Sequence, residues 1–220
     1  MEENKIPLIG DHAPEFHAMT TQGKIDFPAD YKGSWVVLFS HPADFTPVCT
    51  TEFIALSRMN ETFESLNTKL IGLSIDSLHS HLGWIKSIEA LNFNNEGKVK
   101  IPFPIIADIS MNVARKYGML QTVANTQTVR AVFIIDPEGM IRTILYYPMS
   151  TGRNIPEIIR ILQSLQLNDK THYSTPANWQ PGDAVVMGAP LTIEEAQERL
   201  ESSDNTIEHL DWYLTMKKMK

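Results

Sequence analysis

Two apolar runs joined by a single helical stretch fix most of what this chain can become. The first, Ser34-Trp35-Val36-Val37-Leu38-Phe39-Ser40, has strand length and no polar alternation, as expected of a central strand buried on both faces. The second, Lys69-Leu70-Ile71-Gly72-Leu73-Ser74-Ile75-Asp76, reads the same way. Between them the chain turns at Pro42 and restarts at Thr46-Pro47, where a hydroxyl at the N-cap and a proline at the first helical position open a helix near 46–66. A strand, a helix and a second strand form a crossover unit. Such units are right-handed and make their strands parallel, so an α/β sheet covered by helices is predicted.

The rest of the first 167 residues extends that sheet. Ser77 is placed to cap a helix through about Leu91, with Leu78, Leu82, Ile85 and Ile88 or Glu89 along one face. Residues 92–100 form a polar loop, Ile105-Ile106-Ala107 a short strand, and 111–117 a short helix ending at Gly118. Runs at 130–135 and 140–147 flank Asp136-Pro137-Glu138-Gly139, whose proline and glycine suit a hairpin turn. A helix over 154–167 follows, striped by Ile155, Ile158, Ile159, Leu162 and Leu165. Strand–helix–strand, helix, hairpin, helix is the order of the thioredoxin-like α/β fold, assigned to residues 1–167.

After about Asn168 the pattern changes. Pro176, Pro181, Gly182, Gly188 and Pro190 keep a long stretch from regular structure, and only Thr192-Ile193-Glu194-Glu195, a capping box, opens a helix, to about Leu200. Trp212 and Tyr213 are aromatic handles near the end. Residues 168–220 therefore read as an arm too irregular to hold a core of its own.

Composition narrows the class of partner. At 220 residues with 43% hydrophobic content the chain can bury one substantial core plus an appendage. A formal charge of −7, with basic residues clustered only at Lys217-Lys218-x-Lys220, argues against nucleic acid or an anionic membrane as partner. Met1-Glu2-Glu3-Asn4-Lys5 precedes no long apolar stretch, so neither a secretory signal nor a transmembrane helix is expected. The single cysteine excludes an intramolecular disulfide and fits a reducing, cytoplasmic setting.

That cysteine, Cys49, falls in the first turn of the helix predicted from Thr46. Free backbone N–H groups and the positive end of the helix dipole favour an anion there, so the position suits a thiolate nucleophile. It also suits a packed residue. Phe53, Leu56 and Phe63 follow Cys49 at helical spacing, and lone cysteines commonly behave as small hydrophobes. Spacing alone leaves both readings open. His79 and His81 are two apart on a helix and cannot turn to a common metal, so no metal site or other cofactor is predicted.

The larger constellation, His41-Pro42-Ala43-Asp44-Phe45-Thr46-Pro47-Val48-Cys49-Thr50-Thr51-Glu52, resembles the active-site signature of the peroxiredoxins, in the form carried by the Prx6-type (1-Cys) branch. The resemblance covers nearly the whole chain. Ile9-Gly10-Asp11-His12-Ala13-Pro14-Glu15-Phe16 looks like the family's opening segment, and Arg130-Ala131-Val132-Phe133-Ile134-Ile135-Asp136 like the strand beginning with its second catalytic residue. Thr151-Gly152-Arg153-Asn154 and Thr175-Pro176-Ala177-Asn178-Trp179 match later landmarks of the branch.

The resemblance implies a thiol-specific peroxidase, an antioxidant enzyme that reduces hydrogen peroxide and organic hydroperoxides through a sulfenic acid on Cys49. It assigns Cys49 as nucleophile, Thr46 as the hydroxyl that hydrogen-bonds the bound peroxide, Arg130 as the cation that favours thiolate and departing oxygen, and Pro42 as the cover over the sulfur. Glu52 and Arg153 are implied to orient Arg130, and His41 to tune the site. Some relatives carry further cysteines in the arm, in a Cys-x-Asp-Trp-Trp-Phe-Cys stretch; here His209-Leu210-Asp211-Trp212-Tyr213-Leu214-Thr215 stands in its place. The reductant is therefore expected from outside: glutathione, a thioredoxin-type protein or another small thiol. The arm is expected to pack on a second subunit, giving a homodimer and, in larger assemblies, a decameric ring of dimers.

Three other classes were weighed. A peroxide sensor or redox-switched chaperone would use the same cysteine and differ only in turnover. Lipid hydrolysis, which some Prx6-type proteins support through Gly-Asp-Ser-Trp-Gly, is not expected, because Lys32-Gly33-Ser34-Trp35-Val36 lacks the aspartate and the final glycine. A binding module on the same fold accounts for the elements but not for Thr46, Cys49 and Arg130 together.

Overall fold

The computed structural model describes residues 6–122, 125–202 and 204–219; residues 1–5 and Lys220, both singled out in the sequence, lie outside them. The chain forms two compact units, Met1–Ile155 and Pro156–Lys220.

In the first unit the elements run β1 (Phe16–Thr20), β2 (Gly23–Phe27), β3 (Trp35–Ser40), α1 (Pro47–Arg58), α2 (Asn60–Ser65), β4 (Thr68–Ser74), α3 (Leu78–Ala90), β5 (Ile105–Ala107), α4 (Asn112–Lys116), β6 (Leu120–Thr122), β7 (Asn125–Thr128), β8 (Arg130–Ile135) and β9 (Ile141–Tyr147). Seven strands make one sheet in the order β2-β1-β5-β4-β3-β8-β9. The crossover unit is present as read, with β3 parallel to β4 and Phe39 opposite Gly72. All six residues of β3 and all six of β8 are buried, which is why both appear in the sequence as unbroken apolar runs.

Alternation along β3 divides the core. Val36 and Leu38 join Ile71, Leu73, Phe133 and Ile135 in one layer. Phe39 points into an aromatic layer with Phe53 (5.5 Å between centroids) and Phe103 (5.7 Å), and Phe53 meets Trp84 at 4.6 Å. Gly72 backs onto that layer: a Cβ there would stand 3.3 Å from Phe39 Cζ and 3.4 Å from Phe53 Cζ, so any side chain would press the Phe39 ring back by a few tenths of an ångström. The aromatic layer seats α1, and fully burying a residue such as Phe53 is worth about 1.5–3 kcal/mol. That exceeds the ~1 kcal/mol of a side-chain N-cap. Thr46 occupies the N-cap position with extended backbone but makes no capping bond; its hydroxyl instead donates to the Ala43 carbonyl at 2.8 Å.

Several elements differ from the expectation. The single helix over 46–66 is two, because the backbone leaves helical geometry at Met59, whose N–H is shared between the Ala55 and Ser57 carbonyls. The re-aimed α2 turns Phe63 into the core. On α3 the buried face is His81, Trp84 and Ile88, one position off the expected stripe; Leu82 is exposed and Leu78 and Ile85 are half-buried. Ser77 caps it as expected, accepting from the Ser80 N–H. The β1–β2 hairpin was not anticipated.

The second unit contains α5 (Ile155–Thr171), β10 (Val185–Val186), α6 (Ile193–Glu201), β11 (Ile207–His209) and β12 (Thr215–Lys217). Helix α5 runs four residues beyond its predicted end to a left-handed His172; Ile158, Ile159 and Leu162 are buried and Leu165 is half-buried. Thr192 caps α6 by accepting from Glu195 N–H at 3.1 Å, as the capping box predicted. The segment read as irregular includes a small antiparallel sheet, β10-β12-β11, in which His209 lies opposite Thr215. Leu191, Ile193, Trp212 and Tyr213 remain exposed.

Candidate active site

Strand β3 ends at Ser40, and the loop from His41 to Thr46 delivers the chain into α1, placing Cys49 third in its first turn, where backbone N–H groups lack intrahelical partners. Cys49 is 0% exposed. Its sulfur receives a hydrogen bond from Arg130 Nη1 at 3.2 Å. Arg130 opens β8, which is antiparallel to β3 in the same sheet, so the guanidinium and the helix start meet at neighbouring strand ends.

Arg130 is held on every side. Its Nη1 also donates to Glu52 Oε2 at 2.8 Å, and its Nε and Nη2 both donate to the Met149 carbonyl, at 3.0 and 2.7 Å. Glu52, one turn after Cys49 on α1, accepts three further bonds from Arg153: the backbone N–H and Nε on Oε1, both at 2.9 Å, and Nη2 on Oε2 at 2.7 Å. Arg153 Nη1 reaches the carbonyls of Ser40 and Ala131, at 2.9 and 3.1 Å, and its guanidinium lies 5.2 Å over the Phe39 ring. Glu52, Arg130 and Arg153 are therefore not a loose surface pair. All three are buried, and they set two permanent cations against one carboxylate.

Pro42 is buried and Thr46 half-buried on the loop leading to Cys49. The hydroxyl hydrogen of Thr46 is committed to Ala43, which leaves its oxygen as an acceptor for an incoming O–H. His41 is 0% exposed and bonds to Asp44, not to the Cys49 cluster: His41 Nε2 lies 2.9 Å from Asp44 Oδ1, and Asp44 Oδ2 lies 2.8 Å from His81 Nδ1. Sequence reading missed this trio. Asp44 stands in the signature with no role assigned to it, and its partner His81 is 37 positions away, where it was compared only with the exposed His79. Among the described residues this is the one group of metal-type ligands gathered closely, with all three atoms within 4.8 Å of one another.

Burial alone would raise the Asp44 carboxyl, but hydrogen bonds from His41 and His81 outweigh it and hold the group well below the usual aspartate range. A depressed folded-state pKa stabilises the fold above the ordinary value of about 3.9 and loses that contribution as pH falls below it. The urea-midpoint advantage of the parent protein over Asp44→Asn is expected to shrink between about pH 6 and pH 2. A gap that stays constant would contradict the assignment.

Residues 9–144 match the AhpC/TSA family, and residues 164–203 match the C-terminal domain of 1-Cys peroxiredoxin. A peroxiredoxin of Methanosarcina mazei is 57% identical over 215 residues, covering 97% of this chain and 98% of the relative. Among solved structures, a yeast mitochondrial 1-Cys peroxiredoxin superposes with a TM-score of 0.84 at 40% identity, covering 97% of this chain and 100% of that one. A cysteine-to-serine variant of Arenicola marina peroxiredoxin 6 gives 0.83 at 36%, covering 97% and 99%. With a thioredoxin-like sheet, a cysteine opening α1 under an arginine from β8, and relatives matched from end to end, the chain belongs to the peroxiredoxins, in their 1-Cys, Prx6-type branch, and is a thiol-dependent peroxidase.

Proposed function

We propose that Cys49 is the peroxide-reducing nucleophile, acting on hydrogen peroxide and organic hydroperoxides. The observation that carries this reading is the Arg130 Nη1 amino group, which donates to both the Cys49 sulfur and Glu52. The thiolate attacks one peroxide oxygen in line with the O–O bond, the S–O bond forms as the O–O bond breaks, and the other oxygen departs as hydroxide or alkoxide and takes up a proton from water, equivalent to the one the thiol released, to give water or an alcohol. Arg130 stabilises charge on both the attacking sulfur and the departing oxygen. Thr46 accepts the hydrogen of the bound hydroperoxide and holds the attacked oxygen near the sulfur. Pro42, lacking an N–H, covers the sulfur against water, while Glu52 and Arg153 orient Arg130.

The product is a sulfenic acid on Cys49, and with no second cysteine in the chain an external thiol must return it to the thiol. The yeast mitochondrial relative is described as resolved through glutathione and thioredoxin systems, which supports glutathione or a thioredoxin-type protein here. Residues 1–167 form the peroxidase domain and 168–220 an arm that packs on the partner of a homodimer, with rings of dimers as the larger assembly. Exposed Leu191, Ile193, Trp212 and Tyr213 support that role for the arm. No helix among the described residues is long and apolar enough to cross a membrane, and a cytoplasmic location is part of this reading.

The test is a stopped-flow mixing of reduced protein with one equivalent of hydrogen peroxide, followed by turnover with glutathione or a thioredoxin system. A tryptophan-fluorescence phase far faster than free cysteine, then sustained peroxide loss with either reductant, is expected. A rate equal to that of free cysteine would sink the proposal.

A further inference from the structure

Beside the Cys49 cluster lies the second set of buried ionisable groups, His41, Asp44 and His81, with side-chain exposures of 0%, 1% and 0%. Three contacts link them, and a fourth ties His81 to the backbone. His41 Nε2 lies 2.9 Å from Asp44 Oδ1, His81 Nδ1 lies 2.8 Å from Oδ2 and 3.1 Å from Oδ1, and His81 Nε2 lies 3.2 Å from the Ile106 carbonyl. A carbonyl only accepts, so His81 Nε2 carries a hydrogen. An ionised carboxylate also only accepts, so His41 Nε2 carries one and a third lies between His81 Nδ1 and Asp44. The remaining ring nitrogen, His41 Nδ1, is buried and has no hydrogen-bond partner among the described residues.

The hydrogen count gives a charge. Burial lowers the His41 pKa, favouring the neutral ring, so Nδ1 is a bare lone pair. The trio then sums to zero wherever the shared hydrogen sits between His81 and Asp44. Zero is the sum that a site closed to water tolerates best.

The trio also pins a loop that needs pinning. Phe45 adopts a left-handed backbone (φ 55°), a conformation costly for a residue with a bulky side chain, and its ring is exposed. Asp44, its neighbour, is tied to α3 through His81 and to the segment following β4 through its own N–H, which donates to Asp76 Oδ2 at 3.0 Å. Ser74 Oγ donates to the same oxygen at 2.7 Å.

We propose that Asp44 and His81 are positioning residues, which fix His41 as the Nε2–H tautomer and anchor the loop that presents Pro42 and Thr46 to Cys49. The anchoring half rests on the peroxidase reading above; the tautomer does not. A divalent metal is the competing occupant of these three side chains. Contacts of 2.8–3.1 Å between the ligand-type atoms accommodate hydrogens, and His41 Nδ1 lacks the outer acceptor that orients a metal-bound histidine.

The experiment uses the full chain labelled with 15N-histidine, read by two-bond 1H–15N correlation at neutral pH. His41 is expected to carry hydrogen on Nε2 alone and His81 on both nitrogens. Asp44→Asn supplies its own acceptor to His41 and its own donor to His81. It should keep the His41 tautomer, strip the hydrogen from His81 Nδ1, and hold the peroxide rate constant within about threefold. Asp44→Ala should mix the His41 tautomers and slow that rate about tenfold or more. A His41 bare at Nε2, a His81 with two hydrogens in Asp44→Asn, equal rates in the two variants, or stoichiometric metal in purified protein would each overturn the proposal. If the alanine variant does not fold, the parent and asparagine spectra still decide. A parent protein no faster than free cysteine would remove the peroxidase reading while leaving the tautomer measurable.

Discussion

Arg130→Ala is expected to slow the reaction of Cys49 with hydrogen peroxide by about 10²–10³-fold, and Cys49→Ser to abolish the fast phase altogether. The magnitude follows from what one guanidinium does. Its Nη1 is the donor to the sulfur, at 3.2 Å, and two other nitrogens are fixed on the Met149 carbonyl, so the cation costs no reorganisation when charge shifts from sulfur to the departing oxygen. Alanine removes the donor and one of the two buried cations, leaving Glu52 and Arg153 as a balanced pair with nothing to offset a thiolate. Arg130→Lys should recover only part of the loss, because one ammonium cannot span sulfur, Glu52 and the Met149 carbonyl in the same geometry. The fluorescence readout is local: Trp84 Nε1 donates to Thr50 Oγ1 at 3.2 Å, on the residue next to Cys49. An alanine variant within threefold of the parent rate would remove Arg130 from the reaction.

The largest expected loss of stability is at Glu52. Glu52→Ala should cost about 3–5 kcal/mol and lower Tm by about 6–20 °C. Four hydrogen bonds converge on this carboxylate from Arg130 and Arg153, and the side chains of all three are at most 3% exposed. Truncation leaves two buried guanidinium groups without their carboxylate, facing at most the Cys49 sulfur, which is far costlier than breaking a surface pair worth about 0–1 kcal/mol. Glu52→Gln, which keeps acceptors but not charge, should fall between. Calorimetry at neutral pH checks both, and a shift below 2 °C in Glu52→Ala would show that water reaches the cluster.

The readability of this sequence followed the physics of burial. Strands β3, β4 and β8 were legible because both faces are covered, so their residues form unbroken apolar runs that no amphipathic helix imitates. The β1–β2 hairpin was missed because its outward residues, such as His17 and Lys24, interrupt any such run. Helix α3 was found from its cap but given the wrong face. Its inward positions include His81, a polar residue that qualifies for the core only because Asp44 waits there, and Trp84, seated between Phe53 and His41. The small sheet of the second unit has strands of two or three residues, too short for a period to register. Cys49 and Arg130 were legible by resemblance. Their shared hydrogen bond was not, since nothing local to either residue reports the other.

Cys49 is the only thiol in the chain and is fully shut away from solvent, and the protein thereby carries its own clock for internal breathing. A bulky thiol reagent can react only while the residues that cover the sulfur stand aside. With reagent in excess over protein, yet dilute enough that reclosing outruns labelling, the labelling rate is the intrinsic thiol rate multiplied by the fraction of time the sulfur stands open. Every molecule has one hand on that clock, so the decay is a single exponential whose rate can be followed with temperature, with salt or with the occupancy of the site.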